Sequence, residues 1–160
     1  MTEQDDLRAQ IKEHPLLHDL SDAHIAELAT CAVAERFQPG EFLIRDRTPA
    51  DKFFLIRHGT LSIELETPPK GRLVLQTVHE GDGLGWSWLV PPHRWAFDAR
   101  AMTLVRTVTF DANALLARFE ANHELGYQLL RRLLGMMAHR LTAARLQMLD
   151  LYGPPPAAKV

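Results

Sequence analysis

The chain carries one cysteine, Cys31, in 160 residues. Disulfides need pairs of thiols and iron–sulfur clusters need several, so both are excluded. Cys31 lies in the apolar-periodic stretch Ile25 to Val33, where a lone thiol packs as a small hydrophobe. An excess of charge is lacking too: 18 Lys and Arg face 20 Asp and Glu, a formal net charge of −2. A protein that grips duplex nucleic acid by neutralising phosphates needs a basic excess, so direct DNA binding is not expected. No run of about eighteen apolar residues occurs, and the start, Met1-Thr2-Glu3-Gln4-Asp5-Asp6, is acidic where a secretion signal would be apolar. A cytoplasmic protein with no membrane contact is the expectation.

Chemistry-bearing motifs are sparse as well. Neither a Ser-His-Asp set, nor paired carboxylates, nor a P-loop is visible, so the chain is not expected to be an enzyme. His14 and His18 have i, i+4 spacing, but Pro15 lies between them and no cysteine or carboxylate cluster joins them. No metal site and no cofactor are expected.

What is present is patterning sufficient for one domain with a substantial core. Ser21-Asp22 precedes Ile25, Leu28, Ala29 and Ala32 at helical spacing, which predicts a capped helix over residues 22–33. The period then changes to that of short strands separated by turns: Glu35–Phe37, Glu41–Ile44, Lys52–Arg57, Thr60–Glu66, Leu73–Val78 and Leu104–Phe110. In Thr60–Glu66, Leu61, Ile63 and Leu65 alternate with polar residues, as a half-buried antiparallel strand requires. So many short strands imply a mainly β fold with flanking helices, an antiparallel jelly-roll barrel.

From Asp111 the helical period returns. Asp111 caps a short helix to Phe119, and Asn122 opens a long one to about Leu151. Its apolar residues form two stripes. Leu125, Leu129, Leu133 and Met136 suit packing against the chain's own strands, whereas Tyr127, Leu130, Leu134, Met137, Leu141, Ala144, Met148 and Leu151 repeat every three and four residues, a seam for helix pairing. A second apolar face needs a second surface, so a homodimer through this helix is expected. Arg131, Arg132, Arg140 and Arg145 read as its solvated side, with Arg145 alone placed to reach inward as a lid. The organisation is then a helical, polar lead over 1–15, a β domain over 16–120, the long helix over 121–151, and a proline-rich tail over 152–160 expected to be disordered.

The segment Gly81 to Ala101 stands out because it holds all three tryptophans and three closely spaced glycines. Gly81, Gly83 and Gly85 let backbone approach a ligand, and a short turn opening at Trp86 would aim N–H groups at an anion. Arg94 supplies a permanent charge shaped for phosphate, against the alternative of a surface arginine stacked on Trp95. Trp86, Trp88 and Trp95 form either an aromatic wall for a purine or core filling. Asp98 and Arg100 are placed to pair with each other.

Leu20-Ser21, Phe37-Gln38-Pro39-Gly40-Glu41, Ile44, Ala50–Ile56, His58-Gly59-Thr60-Leu61, Glu80-Gly81-Asp82 and Leu84-Gly85 together resemble the cyclic nucleotide-binding domain of the catabolite-activator and FNR superfamily, over Leu16 to Asp150. The resemblance implies a cassette that holds a cyclic phosphate through backbone N–H groups and an arginine, with a glutamate after the glycine accepting the ribose hydroxyl. It points to Gly83, Leu84, Gly85, Trp86, Ser87, Arg94, Trp95 and Ala96 as ligand-binding positions. Three departures stand beside it. Trp86 occupies the glutamate's place, Arg47 replaces a turn glycine, and Ala144-Arg145 stands near the polar pair that often meets the purine.

Arg94-Trp95-Ala96 matches the family's arginine triplet when aligned from the left; aligned from the right on Ala99-Arg100-Ala101, Trp95 takes the arginine's place. In this superfamily's transcription factors a helix-turn-helix follows the long helix, and here a proline-rich tail does. Two functional readings follow: a stand-alone sensory module that binds a small anion, a cyclic nucleotide first, and signals through the long helix to a separate effector protein; or a degenerate dimeric interaction protein whose tryptophans fill the pocket.

Overall fold

The computed structural model describes residues 2–153. Helix α1 (Glu3–Glu13) opens with a capping box: the Thr2 hydroxyl accepts the Asp5 N–H at 3.1 Å, and the Asp5 carboxylate accepts the Thr2 N–H at 3.0 Å. Leu7 and Ile11, one turn apart, are buried, so the lead expected to be polar contributes a core face. Helix α2 (Asp22–Ala29) starts on Ser21, whose hydroxyl accepts the His24 N–H. It stops four residues short of the predicted Val33. Ala32 satisfies both periods, buried one turn after Leu28 and equally buried as a strand residue, and pairing decides for the strand, with Ala32 opposite Phe110.

Eight strands follow: β1 (Ala32–Phe37), β2 (Phe42–Ile44), β3 (Lys52–His58), β4 (Leu61–Thr67), β5 (Gly71–Val78), β6 (Gly83–Leu84), β7 (Asp98–Ala101) and β8 (Val105–Asp111). They form two antiparallel four-stranded sheets, β1-β8-β3-β6 and β2-β7-β4-β5. The fold is thus mainly β with flanking helices, a jelly roll of two sheets rather than one closed barrel. Central strand β3 is covered on both faces, so Phe53, Phe54, Leu55 and Ile56 are all buried. Phe53 stacks on Phe110 with centroids 5.8 Å apart, and Phe54 meets Phe37 edge-on from the other face. The β3–β4 turn requires Gly59: at φ 93° a Cβ there would lie 2.1 Å from the Leu104 carbonyl oxygen.

Helix α3 (Ala112–Ala121) is capped by Asp111, and α4 (His123–Tyr152) by Asn122. Leu125, Leu129 and Leu133 are buried against the chain's own core, as their stripe predicts. Past Leu133 no residue of α4 is fully buried, and Tyr127, Leu130, Leu134, Leu141, Met148 and Leu151 are exposed, with Met137 and Ala144 partly covered. Tyr152 closes α4 rather than opening the tail, and 154–160 lie outside the described residues. Among the described residues no helix is long and apolar enough to cross a membrane.

Candidate ligand cassette and its surroundings

The glycine segment hangs from β3. Gly83 and Leu84 pair with Leu55 and Phe54, and the Gly81 N–H donates to the Ile56 carbonyl at 3.0 Å. Gly85 takes φ 98°, and Ser87–Leu89 form one 3-10 turn with Trp86 at its start. Gly83, Leu84 and Gly85 are buried, and Trp86 and Ser87 half-buried. The segment therefore forms the loop its glycines predict.

The three indoles part company. Trp88 is core: it packs between Phe53 and Phe119, and its Nε1 donates to the Gly85 carbonyl at 3.1 Å. Trp95 is 4% exposed and lies against Gly85 so closely that a Cβ there would come within 2.6 Å of the ring. Trp86 lies beneath a guanidinium from α4. No shared aromatic wall forms; two rings fill space and the third is roofed.

Register places the arginines. Ala101 stands opposite Leu61, Ala99 opposite Ile63 and Asp98 opposite Glu64. Ahead of β7 the Trp95 ring, not Arg94, lies against the backbone of Gly85. Arg94 is exposed and donates from Nη1 to the Arg47 carbonyl at 2.7 Å; Ala96 is exposed beside it. Arg47 adopts the left-handed conformation of the turn glycine it replaces, φ 67°, and its N–H donates to the Trp95 carbonyl.

Asp98 and Arg100 do not pair with each other. Asp98 and Glu64 are buried and directly opposite, so each carboxylate recruits cations. Arg72 bridges them, with Nε 2.9 Å from Glu64 and Nη2 2.7 Å from Asp98, while Arg100 bonds Glu64 at 2.6 Å. Phe42 lies under the Arg45 guanidinium at 3.9 Å. This cluster ties β4, β5 and β7 together.

The arginines of α4 also divide. Arg131 and Arg145 are exposed, the latter in no lid position, but Arg132 pairs with Asp19 at 2.8 Å. Arg140 folds inward: its Nη2 donates to the Gly83 carbonyl and its guanidinium lies 5.4 Å from the Trp86 ring centroid. Burial pushes the Arg140 pKa below the ordinary arginine value, against the opposing pull of Asp82. Its charge marked Arg140 as a surface residue, yet it stands one turn past Met136 on the inward-facing stripe, and Met136 lies against Gly83.

His14 and His18 are spent locally. The His18 Nδ1 lies 2.8 Å from the Pro15 carbonyl, while buried His14 sets Nε2 3.1 Å from the Ile56 carbonyl and accepts the Leu16 N–H at Nδ1. His14 thereby pins the end of α1 to β3.

Residues 34–122 match the family model of the cyclic nucleotide-binding domain, which is more than half of the chain. The chain belongs to the cyclic nucleotide-binding domain family. It is 26% identical over 136 residues to the HTH-type transcriptional regulator Cmr of Mycobacterium tuberculosis, covering 85% of this chain and 54% of that protein. The chain thus spans about half the length of that curated relative. Among solved structures, it is similar to a cyclic nucleotide-binding domain from Methylobacillus flagellatus, with TM-score 0.78 and 18% identity over 96% of this chain and 86% of that one. It is also similar to the regulatory subunit of a cAMP-independent protein kinase A from Trypanosoma brucei, with TM-score 0.69 and 19% identity over 90% of this chain and 52% of that one. Of these relatives, one is described as a transcriptional regulator and one as a kinase regulatory subunit.

Proposed function

We propose that this chain is a dimeric regulatory module of its family whose cassette is closed to a cyclic nucleotide in the family's usual pose. The observation that carries this reading is the Trp95 ring packed on Gly85. A cyclic phosphate taking the Gly85 backbone N–H needs that space, and Trp86 offers an indole N–H where a ribose hydroxyl needs an acceptor. The fold also serves a kinase regulatory subunit described as cAMP-independent, which supports a reading without cyclic AMP. Output runs through α4, whose exposed stripe from Tyr127 to Leu151 pairs with a second copy and presents a composite surface to a separate effector protein.

A second reading keeps cyclic nucleotide as ligand, and the exposed Arg94 favours it: one bond to a backbone carbonyl leaves the side chain free to swing once Trp95 moves. Thermal unfolding with millimolar cyclic AMP and cyclic GMP separates the two. A ligand at a hundred times its dissociation constant adds about 2.7 kcal/mol to stability, a shift easily read. The first reading expects no shift from either nucleotide. A clear shift that Arg94→Ala abolishes would establish the second.

A further inference from the structure

We propose that the groove between the end of α1 and the β5–β6 turn binds a small zwitterion of the α-amino acid class, its ammonium on Glu13 and Glu80 and its carboxylate on Arg57. The groove has a volume of about 400 Å³, and its lining includes Gln10, Glu13, His14, Arg57, Glu80 and Gly81. That volume lies in the range of small-molecule sites. No residue from Gly83 to Ala96 lines it, so it is distinct from the ligand-binding positions of the cassette.

The charges of this lining are unspent. Glu13, Arg57 and Glu80 join none of the ion pairs among the described residues, although both signs of charge line the one groove. They stand too far apart to pair directly, which leaves a gap that a ligand carrying both signs spans. The Arg57 guanidinium offers a fork to a carboxylate, and the two glutamates accept from an ammonium. Gln10 adds an independent sign: its Oε1 is buried with no hydrogen-bond donor, and an unmet buried acceptor is costly. A ligand ammonium carries N–H groups to spare. His14 competes for neither end, because Nδ1 accepts the Leu16 N–H and Nε2 is spent on the Ile56 carbonyl. With that ring neutral, two carboxylates against one guanidinium leave an excess of one negative charge, so an amino acid with a cationic side chain fits best. The Ile56 carbonyl also accepts the Gly81 N–H at 3.0 Å, so an occupant bears on the turn from which the glycine segment starts.

The test is calorimetric titration of the full chain with free lysine, glycine and glutamate, and with methylamine and acetate as the separate halves of the zwitterion. Saturable binding of lysine and glycine is expected, lysine the tighter, with glutamate at least tenfold weaker than lysine. Arg57→Gln and Glu80→Gln should each weaken lysine by about tenfold or more, the size of one charged hydrogen bond, while Arg118→Gln on α3 changes nothing. Arg57 is half-buried and Glu80 exposed, so both variants should fold, which circular dichroism checks. Failure of all three amino acids to bind at millimolar concentration, or unweakened lysine binding by folded Arg57→Gln and Glu80→Gln, overturns the proposal. Methylamine or acetate binding as tightly as glycine overturns the zwitterion, and glutamate ahead of lysine overturns the role given to the two carboxylates. The cassette is scored separately by the cyclic nucleotides and Arg94→Ala, so either idea can fail without the other.

Discussion

His14 illustrates how one side chain acquires a fixed protonation state. Its Nδ1 must accept the Leu16 N–H while Nε2–H donates to the Ile56 carbonyl, so a second proton would set two donors face to face. Desolvation is the largest influence and lowers the His14 pKa below its ordinary 6.5; the Ile56 carbonyl and Asp82 oppose this, and Arg57 reinforces it. The unfolded chain consequently binds this proton more readily than the folded one, and stability present above pH 6.5 is lost as pH falls below it. His14→Gln keeps a donor and an acceptor without a titrating group. Urea unfolding between pH 7.5 and 5 should give a flatter stability profile for the variant, by up to about 1.4 kcal/mol per pH unit for a single proton. Parallel profiles would show that His14 titrates as in water. Arg47 offers a second residue-scale check. Its side chain is solvated while its backbone is left-handed, so Arg47→Gly should be neutral to stabilising by about 0.5 kcal/mol, the relief of strain slightly exceeding the glycine entropy cost. A loss above about 1 kcal/mol would mean that its exposed side chain contributes to stability after all.

At the scale of elements, the ion cluster on the second sheet is held by Arg72, and its removal leaves two buried carboxylates directly opposite each other. Arg72→Met should cost about 2 kcal/mol or more, discounted from the fully buried case because Arg72 is about a quarter exposed. Removing charge on both sides, Arg72→Met with Glu64→Gln, should cost less than the sum of the single changes; strict additivity in urea unfolding would deny the coupling. The elements were also where the sequence was most legible. Strand alternation, the Asp111 and Asn122 caps and the inward stripe Leu125, Leu129 and Leu133 all read directly, because each is a local pattern answered by a local partner. The end of α2 was not legible, since Ala32 fits two periods and a distant partner, Phe110, chooses between them. Arg94 and Trp95 were ambiguous by one residue for the same reason: the register of β7 against β4 is set by pairing across the sheet, not by the loop that precedes it. Arg140 escaped notice because a charged residue on a helix folds inward only where a distant loop provides a carbonyl for it.

For the whole molecule the question is what covers the far half of α4. Its first half is fastened by three buried leucines, yet from Leu134 the helix continues for about five turns with most of its apolar stripe in water. A lone helix of that length gains little from propensity and depends on packing of its apolar face. The three-and-four spacing of the stripe matches a left-handed pairing seam, in which each apolar residue enters a hole on the facing helix. Pairing two copies, as proposed, would remove the exposed stripe from water and steady the helix in one step. Folding is then linked to association, and the unfolding temperature should rise with protein concentration. Leu134 is two-thirds exposed in the single chain, so Leu134→Glu should leave the fold of one copy intact while setting a charge in the seam and opposing its counterpart. Light scattering should report a dimer for the parent chain and a monomer for the variant, whose unfolding temperature no longer depends on concentration. A parent chain that stays monomeric at high micromolar concentration would leave the stripe to a different partner and remove the homodimer from the proposed mechanism.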